Sequence, residues 1–142
     1  MGWVVELRIP PRSDLLALVR LVVEHTARLG AVLADRRIDD LRLAVSEACA
    51  NALDAEKAAA SDASVAISIE VDDDAVAVTV TDHAGGFAIE DVDPLPPATD
   101  PGRLRHERGL GIQLMRSLVD ELTFTPTGDG TAVRLVVRAE DS

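Results

Sequence analysis

The fold of this 142-residue chain is decided by residues 65–81, VAISIEVDDDAVAVTVT, in which apolar and polar residues alternate on both sides of three aspartates. A period of two places every second side chain on the same face of a strand, so the segment predicts two half-buried strands. The short acidic turn between them predicts an antiparallel hairpin. The rest of the chain must then supply elements that cover the apolar face of this hairpin.

Upstream of the hairpin, apolar residues recur every three or four positions in two segments, which predicts two amphipathic helices. We expect Ser13 or Asp14 to cap the first helix and Gly30 to end it. We expect the second helix to start near Asp39 and Asp40, because acidic residues suit a helix N-terminus.

Downstream, residues 88–108 have no periodicity and contain four prolines, which predicts a lid or a disordered loop. A third helix follows from Arg108, and alternating strands are predicted at residues 3–9, 123–125 and 133–137. The order β-α-α-β-β-lid-α-β-β favours one α/β domain over residues 1–142. We expect an α+β two-layer sandwich, with the helices on one face of a mixed, mostly antiparallel sheet.

The composition excludes several classes of protein. The chain has 14 Lys and Arg against 25 Asp and Glu, a net charge of −11, which argues against binding nucleic acid or anionic membranes. Cys49 is the only cysteine, so no intrachain disulfide can form and a reducing compartment is favoured. No apolar run approaches the roughly 20 residues of a membrane span. We therefore expect a cytoplasmic protein.

Glu47 and Asn51 stand four residues apart on the second predicted helix, so they share one face beside its apolar stripe. An amide oxygen can ligate Mg²⁺, and a carboxylate can orient or deprotonate an attacking hydroxyl. The pair is therefore a candidate phosphoryl-transfer site, although the E-x-x-x-N spacing is also common on solvated helices.

Asp82 follows the second strand of the hairpin and begins the segment DHAGGF at residues 82–87. A carboxylate at a strand end can accept a hydrogen bond from the exocyclic amine of adenine. The adjacent Gly85 and Gly86 let a backbone approach a flat ligand closely. The alternative interpretation is an ordinary D-x-x-G turn.

Gly109 and Gly111 open the third predicted helix in the segment RGLGI at residues 108–112. Free N–H groups at a helix start can hold phosphate, although a glycine-rich N-cap has the same sequence. The basic residues of 103–108 could neutralise a triphosphate or could form a solvated charge run. The chain has neither G-x-x-x-x-G-K-[ST] nor a strand, G-x-G-x-x-G and helix in succession, so neither a P-loop nor a Rossmann site fits.

In their order along the chain, these segments resemble the sequence boxes of the GHKL ATPase superfamily, which includes gyrase, chaperone, histidine-kinase and mismatch-repair ATPases. Within it the chain is most similar to the small bacterial anti-sigma factor serine/threonine-protein kinases of the sporulation and stress-response type. Each box is weak alone, but together they cover essentially the whole chain. The matching segments are LAVSEACANA (43–52), VTDHAGGF (80–87), ERGLGI (107–112) and GTAVRL (130–135).

The resemblance implies a histidine-kinase-like ATPase fold that binds ATP and Mg²⁺ under the 88–108 lid. It implies that Glu47 is the general base, Asn51 the Mg²⁺ ligand and Asp82 the group that reads adenine. The further nucleotide contacts that it implies are Arg20, Gly86 beneath the base, Arg108, Gly109, Leu110, Gly111, and Thr131 in support of Asp82.

The resemblance also implies a function in transcription regulation by partner switching. The protein would sequester a sigma factor and phosphorylate a serine of a STAS-type anti-sigma factor antagonist, and it would work as a homodimer. No direct contact with nucleic acid or membrane is implied.

Two positions depart from the family pattern. Ala84 replaces the first glycine of D-x-G-x-G, which would cost of order 1 kcal/mol if that position needs a positive φ. Ala55 stands where the family often has a histidine. A non-catalytic nucleotide-binding or partner-binding switch of the same fold is therefore the alternative. A sensor histidine-kinase catalytic domain is disfavoured because no dimerisation helix precedes Glu47, and a structural domain with chance motifs is the remaining possibility.

Overall fold

The computed structural model describes residues 2–84 and 103–140, with the backbone alone for residues 103–109. The order of its elements agrees with the order predicted from the sequence. In chain order they are β1 (Trp3–Ile9), a 3-10 helix (Ser13–Leu15), α1 (Leu16–Gly30), α2 (Asp35–Ala58), β2 (Val65–Val71), β3 (Ala75–Thr81), α3 (Arg103–Leu118), β4 (Glu121–Pro126) and β5 (Thr131–Arg138).

The five strands form one sheet in the order β1-β2-β3-β5-β4, and every neighbouring pair is antiparallel. The predicted hairpin is β2 and β3, in which Ile67 lies opposite Val80 and Ile69 opposite Val78. β5 pairs with the other side of β3, so β3 is the central strand and its last residue, Thr81, lies between Ala66 of β2 and Ala132 of β5. The α+β class is confirmed, and the sheet that was expected to be mixed and mostly antiparallel is antiparallel throughout the described strands.

The apolar core lies between this sheet and the helices. Val65, Ile67, Ile69 and Val71 of β2 are all buried, whereas the residues between them are partly exposed, as the period of two predicts. Each fully buried aliphatic side chain of this size contributes about 1.5–3 kcal/mol of transfer free energy. α2 lies between α1 and α3 and packs on β2, β3 and β5, so it touches both neighbouring helices and the centre of the sheet.

α1 ends at Gly30 as predicted, but the physical reason differs. A Cβ at Gly30 would lie 2.6 Å from Val71 Cγ1, so glycine is required by the packing of α1 on β2. The left-handed backbone position is taken by Ala31 instead, with φ of 54°. The predicted N-cap is wrong, because Ser13 and Asp14 lie in the 3-10 helix and form no side-chain cap.

Both later helices begin before their predicted starts. α2 begins at Asp35, after an extended Ala34, so Asp39 and Asp40 lie inside it. α3 begins at Arg103, so residues 103–108 of the predicted lid are helical. Those six residues include no proline or glycine and are compatible with a helix. Residues 88–102 of the lid lie outside the described part of the chain.

Arg37 joins the start of α2 to the end of α3 and to the strands beyond it. Its guanidinium donates hydrogen bonds to Asp40 Oδ2 at 2.7 Å, to the Leu118 carbonyl at 3.1 Å and to Asp120 Oδ2 at 2.9 Å. Asp120 Oδ2 also accepts the backbone N–H of Arg138 at 2.7 Å. The Arg37 side chain is only 14% exposed, so these bonds are largely shielded from water.

We predict that Arg37→Ala lowers the free energy of unfolding by about 2 kcal/mol, because a carbonyl and two carboxylates lose a shielded charged donor. Urea denaturation monitored by circular dichroism measures this loss. The control is Arg12→Ala, which removes a solvent-exposed ion pair to Asp14 and should change stability little. Equal effects of the two substitutions would show that Arg37 does not connect these elements.

Candidate functional site

Glu47 and Asn51 lie on the side of α2 that faces α3, where Gly111 of α3 lies close to both. A Cβ at Gly111 would lie 3.0 Å from Glu47 Oε2 and 3.7 Å from Asn51 Nδ2. The missing side chain therefore lets α3 approach both polar groups closely. The two motifs that carry Glu47 and Gly111 are distant in sequence and adjacent in the fold.

The buried Asn51 Nδ2 has no hydrogen-bond partner among the described residues. Such a group costs free energy unless a ligand or water satisfies it. The oxygen and nitrogen of an amide can exchange places by a half-turn of the side chain, so either atom can occupy this position. The unsatisfied amide beside the Glu47 carboxylate fits a site for Mg²⁺ and phosphate, whose ligands are oxygens and hydrogen-bond donors.

Asp82 lies at the end of β3, where it is 5% exposed. Its backbone N–H donates to the Thr131 carbonyl at 3.0 Å, which extends the pairing of β3 with β5 by one residue. Its Oδ1 accepts the backbone N–H of Ala84 at 3.0 Å. A Cβ at Gly130 would lie 2.0 Å from the Asp82 carbonyl oxygen and 2.9 Å from its Oδ1. Glycine at position 130 is therefore required for the backbone to pass beside Asp82.

The surroundings of Asp82 disfavour its charged form. Burial raises the pKa of the Asp82 carboxyl, and the nearby Glu56 carboxylate raises it further. The N–H of Ala84 is the largest of the opposing effects, followed by the backbone of Thr131 and by His83. A carboxylate in this environment gains from any donor that a ligand brings to it.

Ala84 is compatible with this turn. Among the described residues other than glycine, Ala31 and Ala60 are the two with a positive φ. Ala84 therefore has no left-handed backbone strain. The departure from the D-x-G-x-G pattern at this position therefore has no backbone cost. Ala55 is half-buried on α2.

Glu56 is a residue of this region that sequence reasoning missed. It lies on α2 and is 0% exposed, and its Oε1 accepts the backbone N–H of His83 at 2.6 Å. One signal in the sequence could have found it. Glu56 stands four residues after Ala52 and three after Leu53, both on the apolar stripe of α2, so it occupies a core position that is rarely acidic.

The other predicted site residues have different positions. Gly109 and Gly111 are inside α3, not at its start, so their N–H groups are not the free ones of a helix N-terminus. The prediction that they open the helix is wrong because α3 extends back to Arg103, whereas their contact with phosphate stays a prediction. Leu110 is half exposed on α3, Arg20 is exposed on α1, and Thr131 is buried beside Asp82.

Two predicted site groups cannot be placed in full. Gly86 lies outside the described residues, and only the backbone of Arg108 is described. Cys49 is fully buried, and this burial raises the pKa of its thiol to about 12. The thiol is therefore not a nucleophile at neutral pH.

A groove of about 220 Å³ lies on the opposite face of the sheet, lined by side chains that include Glu6, Arg8, Ser68 and Thr79. The register places these four residues on the face that points away from the helices. The groove is therefore separated by the sheet from Asn51 and Asp82. We place the candidate site between α2, α3 and the end of β3, where the unsatisfied polar atoms are.

No helix within residues 2–84 and 103–140 is long and apolar enough to cross a membrane.

Comparison with known proteins gives consistent matches. The family model described as "Histidine kinase-like ATPase domain" matches residues 9–137. Serine-protein kinase RsbW of Bacillus pumilus is 36% identical over 125 residues, which cover 83% of this chain and 75% of that protein. The RsbW of Bacillus subtilis is 32% identical over 123 residues, with the same coverage of each chain. The RsbW of Staphylococcus epidermidis is 32% identical over 124 residues, covering 84% of this chain and 77% of that protein.

We predict that Gly130→Ala lowers the free energy of unfolding by about 3 kcal/mol or more, because the new Cβ overlaps the Asp82 backbone. Chemical denaturation measures the loss. Gly128→Ala is the matched control, since a Cβ at that position meets nothing within 4 Å. It should stay within about 0.5 kcal/mol of the wild type. A tolerated Gly130→Ala would mean that β5 does not pass this close to Asp82.

Proposed function

Because the chain belongs to the histidine kinase-like ATPase domain family, we propose that it binds ATP with Mg²⁺ and transfers the γ-phosphoryl group to a serine of a partner protein. The observation that carries this proposal is the arrangement of polar groups along α2. Glu47 and Asn51 face Gly111 at one end, and Glu56 contacts the residue after Asp82 at the other. Glu56 follows Glu47 by nine residues, so the two ends of this polar arrangement are about 13 Å apart along the helix axis.

Asp82 receives the base in this proposal. A carboxylate accepts hydrogen bonds and cannot donate them when ionised, so it selects the exocyclic amine of adenine over the carbonyl of guanine. The Ala84 N–H and the Thr131 backbone hold the carboxyl in place before the ligand arrives. Gly86 is proposed to lie beneath the base, and the 88–108 lid is proposed to cover the bound nucleotide.

Asn51 and Glu47 act at the phosphate end. Asn51 is the chain's own ligand for Mg²⁺, which when bound neutralises phosphate charge and orients the triphosphate. We include Arg20, Arg108, Gly109, Leu110 and Gly111 as proposed contacts of the phosphates.

Glu47 serves as the general base. As the bond forms between the serine Oγ and the γ-phosphorus, the bond from that phosphorus to the β,γ-bridging oxygen breaks and ADP leaves. The serine proton passes to the Glu47 carboxylate. The position of Glu47 beside Asn51 supports this assignment, because both side chains lie on the α3 side of α2.

The relatives named serine-protein kinase RsbW support a regulatory role. We propose that the protein acts in the cytoplasm as an anti-sigma factor and homodimer, sequesters a sigma factor, and phosphorylates a STAS-type antagonist protein. Phosphorylation would release the antagonist and leave the protein free to bind the sigma factor.

One observation favours a second candidate, a nucleotide-binding switch without transfer. Gly109 and Gly111 lie inside α3, so the free amides expected at a helix start are not at these two positions. A protein that reads adenine at Asp82 but does not align the γ-phosphate would bind ATP and phosphorylate nothing. The substitutions below distinguish these functions.

We predict that Glu47→Gln lowers the rate of phosphoryl transfer by about 10²–10⁴-fold, because the amide cannot accept the serine proton. The affinity for ATP should stay within a few-fold of the wild type. Transfer from labelled ATP to a candidate antagonist and calorimetric binding of ATP measure the two effects. A wild type that binds ATP but never phosphorylates a partner would favour the switch.

We predict that Asp82→Asn abolishes the stabilisation of the wild type by ATP and Mg²⁺, which is about 2.7 kcal/mol at 100 times the dissociation constant. The ligand-free variant should be at least as stable as the wild type at neutral pH. Because the pKa of Asp82 is raised in the folded protein, protonated Asp82 contributes to the free energy of unfolding. This contribution is fully present below the pKa that Asp82 has in the unfolded chain, and it is lost as pH rises through the pKa of Asp82 in the folded protein. Thermal melts with and without ATP measure both effects, and equal ATP shifts in the two proteins would contradict the assignment.

A further inference from the structure

Glu56 is a buried carboxylate that the proposed transfer reaction does not use. It lies within the apolar stripe of α2 and is 0% exposed. Its Oε1 accepts the His83 N–H at 2.6 Å, and its buried Oε2 has no partner among the described residues. A carboxylate with one unsatisfied buried oxygen costs free energy relative to an apolar residue of similar size. Because Glu56 lies beside Asp82, we ask whether it serves the candidate site at the expense of stability.

The hydrogen bond of Glu56 attaches α2 to the turn that carries Asp82. His83, the donor, is the residue directly after Asp82, and its ring Nδ1 lies 3.1 Å from the Ser64 carbonyl. The next residue, Ala84, donates its own N–H to Asp82 Oδ1. Two successive backbone amides are therefore held by two carboxylates, one on α2 and one within the turn. This pairing fixes the direction of the Asp82 side chain relative to α2.

Glu56 also acts on Asp82 through its charge. Each element around Asp82 offers a different group: α2 offers Glu56, the turn offers His83, and β5 offers the uncharged Thr131. Burial is the largest cause of the raised pKa of Asp82; Glu56 adds to it, whereas His83 opposes it. The negative charge of Glu56 therefore disfavours the ionised form of the Asp82 carboxyl.

We propose that Glu56 is a positioning residue of the adenine site, which holds the Asp82 turn on α2 and sets the pH at which the Asp82 carboxylate accepts the amine of adenine. This inference rests on the proposed binding of ATP at Asp82. The ionised carboxylate is the form that accepts from the amine, so affinity falls as the pH is lowered through the pKa of Asp82. Removal of the charge of Glu56 moves this loss of ATP affinity to lower pH.

The test compares the pH dependence of ATP and Mg²⁺ binding, by calorimetry, in the wild type, Glu56→Gln and Asp54→Asn. The glutamine retains a carbonyl oxygen for the His83 N–H and removes the charge. Asp54→Asn removes the same charge from an exposed position on the same helix and is the matched control.

We expect Glu56→Gln to bind ATP within a few-fold of the wild type at neutral pH and progressively more tightly than the wild type as the pH is lowered. The Asp54→Asn curve should follow the wild type. Glu56→Ala, which also removes the acceptor, should bind more weakly than Glu56→Gln at neutral pH. Overlapping pH curves for the wild type and Glu56→Gln would overturn the inference.

A second measurement needs no ATP. Carbon-13 NMR of the Asp82 side-chain carboxyl follows its titration in the ligand-free wild type and in Glu56→Gln. We expect Asp82 to lose its proton at lower pH in Glu56→Gln, because the charge that raises the pKa of Asp82 has been removed. Identical Asp82 curves in the two proteins would contradict the inference even if ATP binds. Absence of ATP binding at every pH would instead refute the proposed function, while a shifted Asp82 curve would still support the interaction of Glu56 with Asp82.

Discussion

The close packing of α2 against α3 and the centre of the sheet is the constraint on which the rest of the described structure depends. Among the described residues, α2 contacts both α1 and α3 and packs on three strands, β2, β3 and β5. Its approach to α3 requires the missing side chain of Gly111, which faces Glu47 and Asn51. Because these contacts use the same face that bears the polar pair, the packing of the fold and the geometry of the candidate site cannot be changed separately.

The candidate site contains groups that weaken the fold. Asp82 and Glu56 are both acidic and buried, and Asn51 Nδ2 and Glu56 Oε2 have no partners among the described residues. An apolar core at these positions would be more stable. The burial of aliphatic residues on β2 and α2 stabilises the fold and offsets this cost in free energy. Buried polar groups with raised pKa values and unsatisfied atoms are typical of ligand sites.

Much of the fold could be predicted from the sequence, because alternation and helical periodicity report which face of each element is buried. The hairpin of β2 and β3 and the order of all elements were predicted correctly. The starts of α2 and α3 were predicted wrongly, since both helices begin before the acidic and glycine residues from which their starts were inferred. Gly30 was correctly predicted to end α1. The physical reason for a glycine there is its contact with Val71, which lies on a strand far along the chain and could not be inferred locally.

The residues of the candidate site could be selected from the sequence by their type, whereas the contacts between them could not. The sequence indicates Glu47 and Asn51 because a carboxylate and an amide four residues apart on a helix suit phosphoryl transfer. It indicates Asp82 because a carboxylate at a strand end can accept a hydrogen bond from the amine of adenine. That Gly111 lies against Glu47, and Gly130 against Asp82, follows only from the tertiary structure. Glu56 was missed for the same reason, because nothing local shows that its carboxylate meets the His83 amide.

Hydrogen exchange measured by mass spectrometry, with and without ATP and Mg²⁺, tests most directly whether these segments form one nucleotide site. If they do, ATP should slow exchange together at residues 47–56, 82–84, 110–115 and 130–131. The groove of Glu6, Ser68 and Thr79 on the opposite sheet face should be unaffected. Slower exchange confined to that groove, or no change anywhere, would contradict a nucleotide site between α2, α3 and the end of β3.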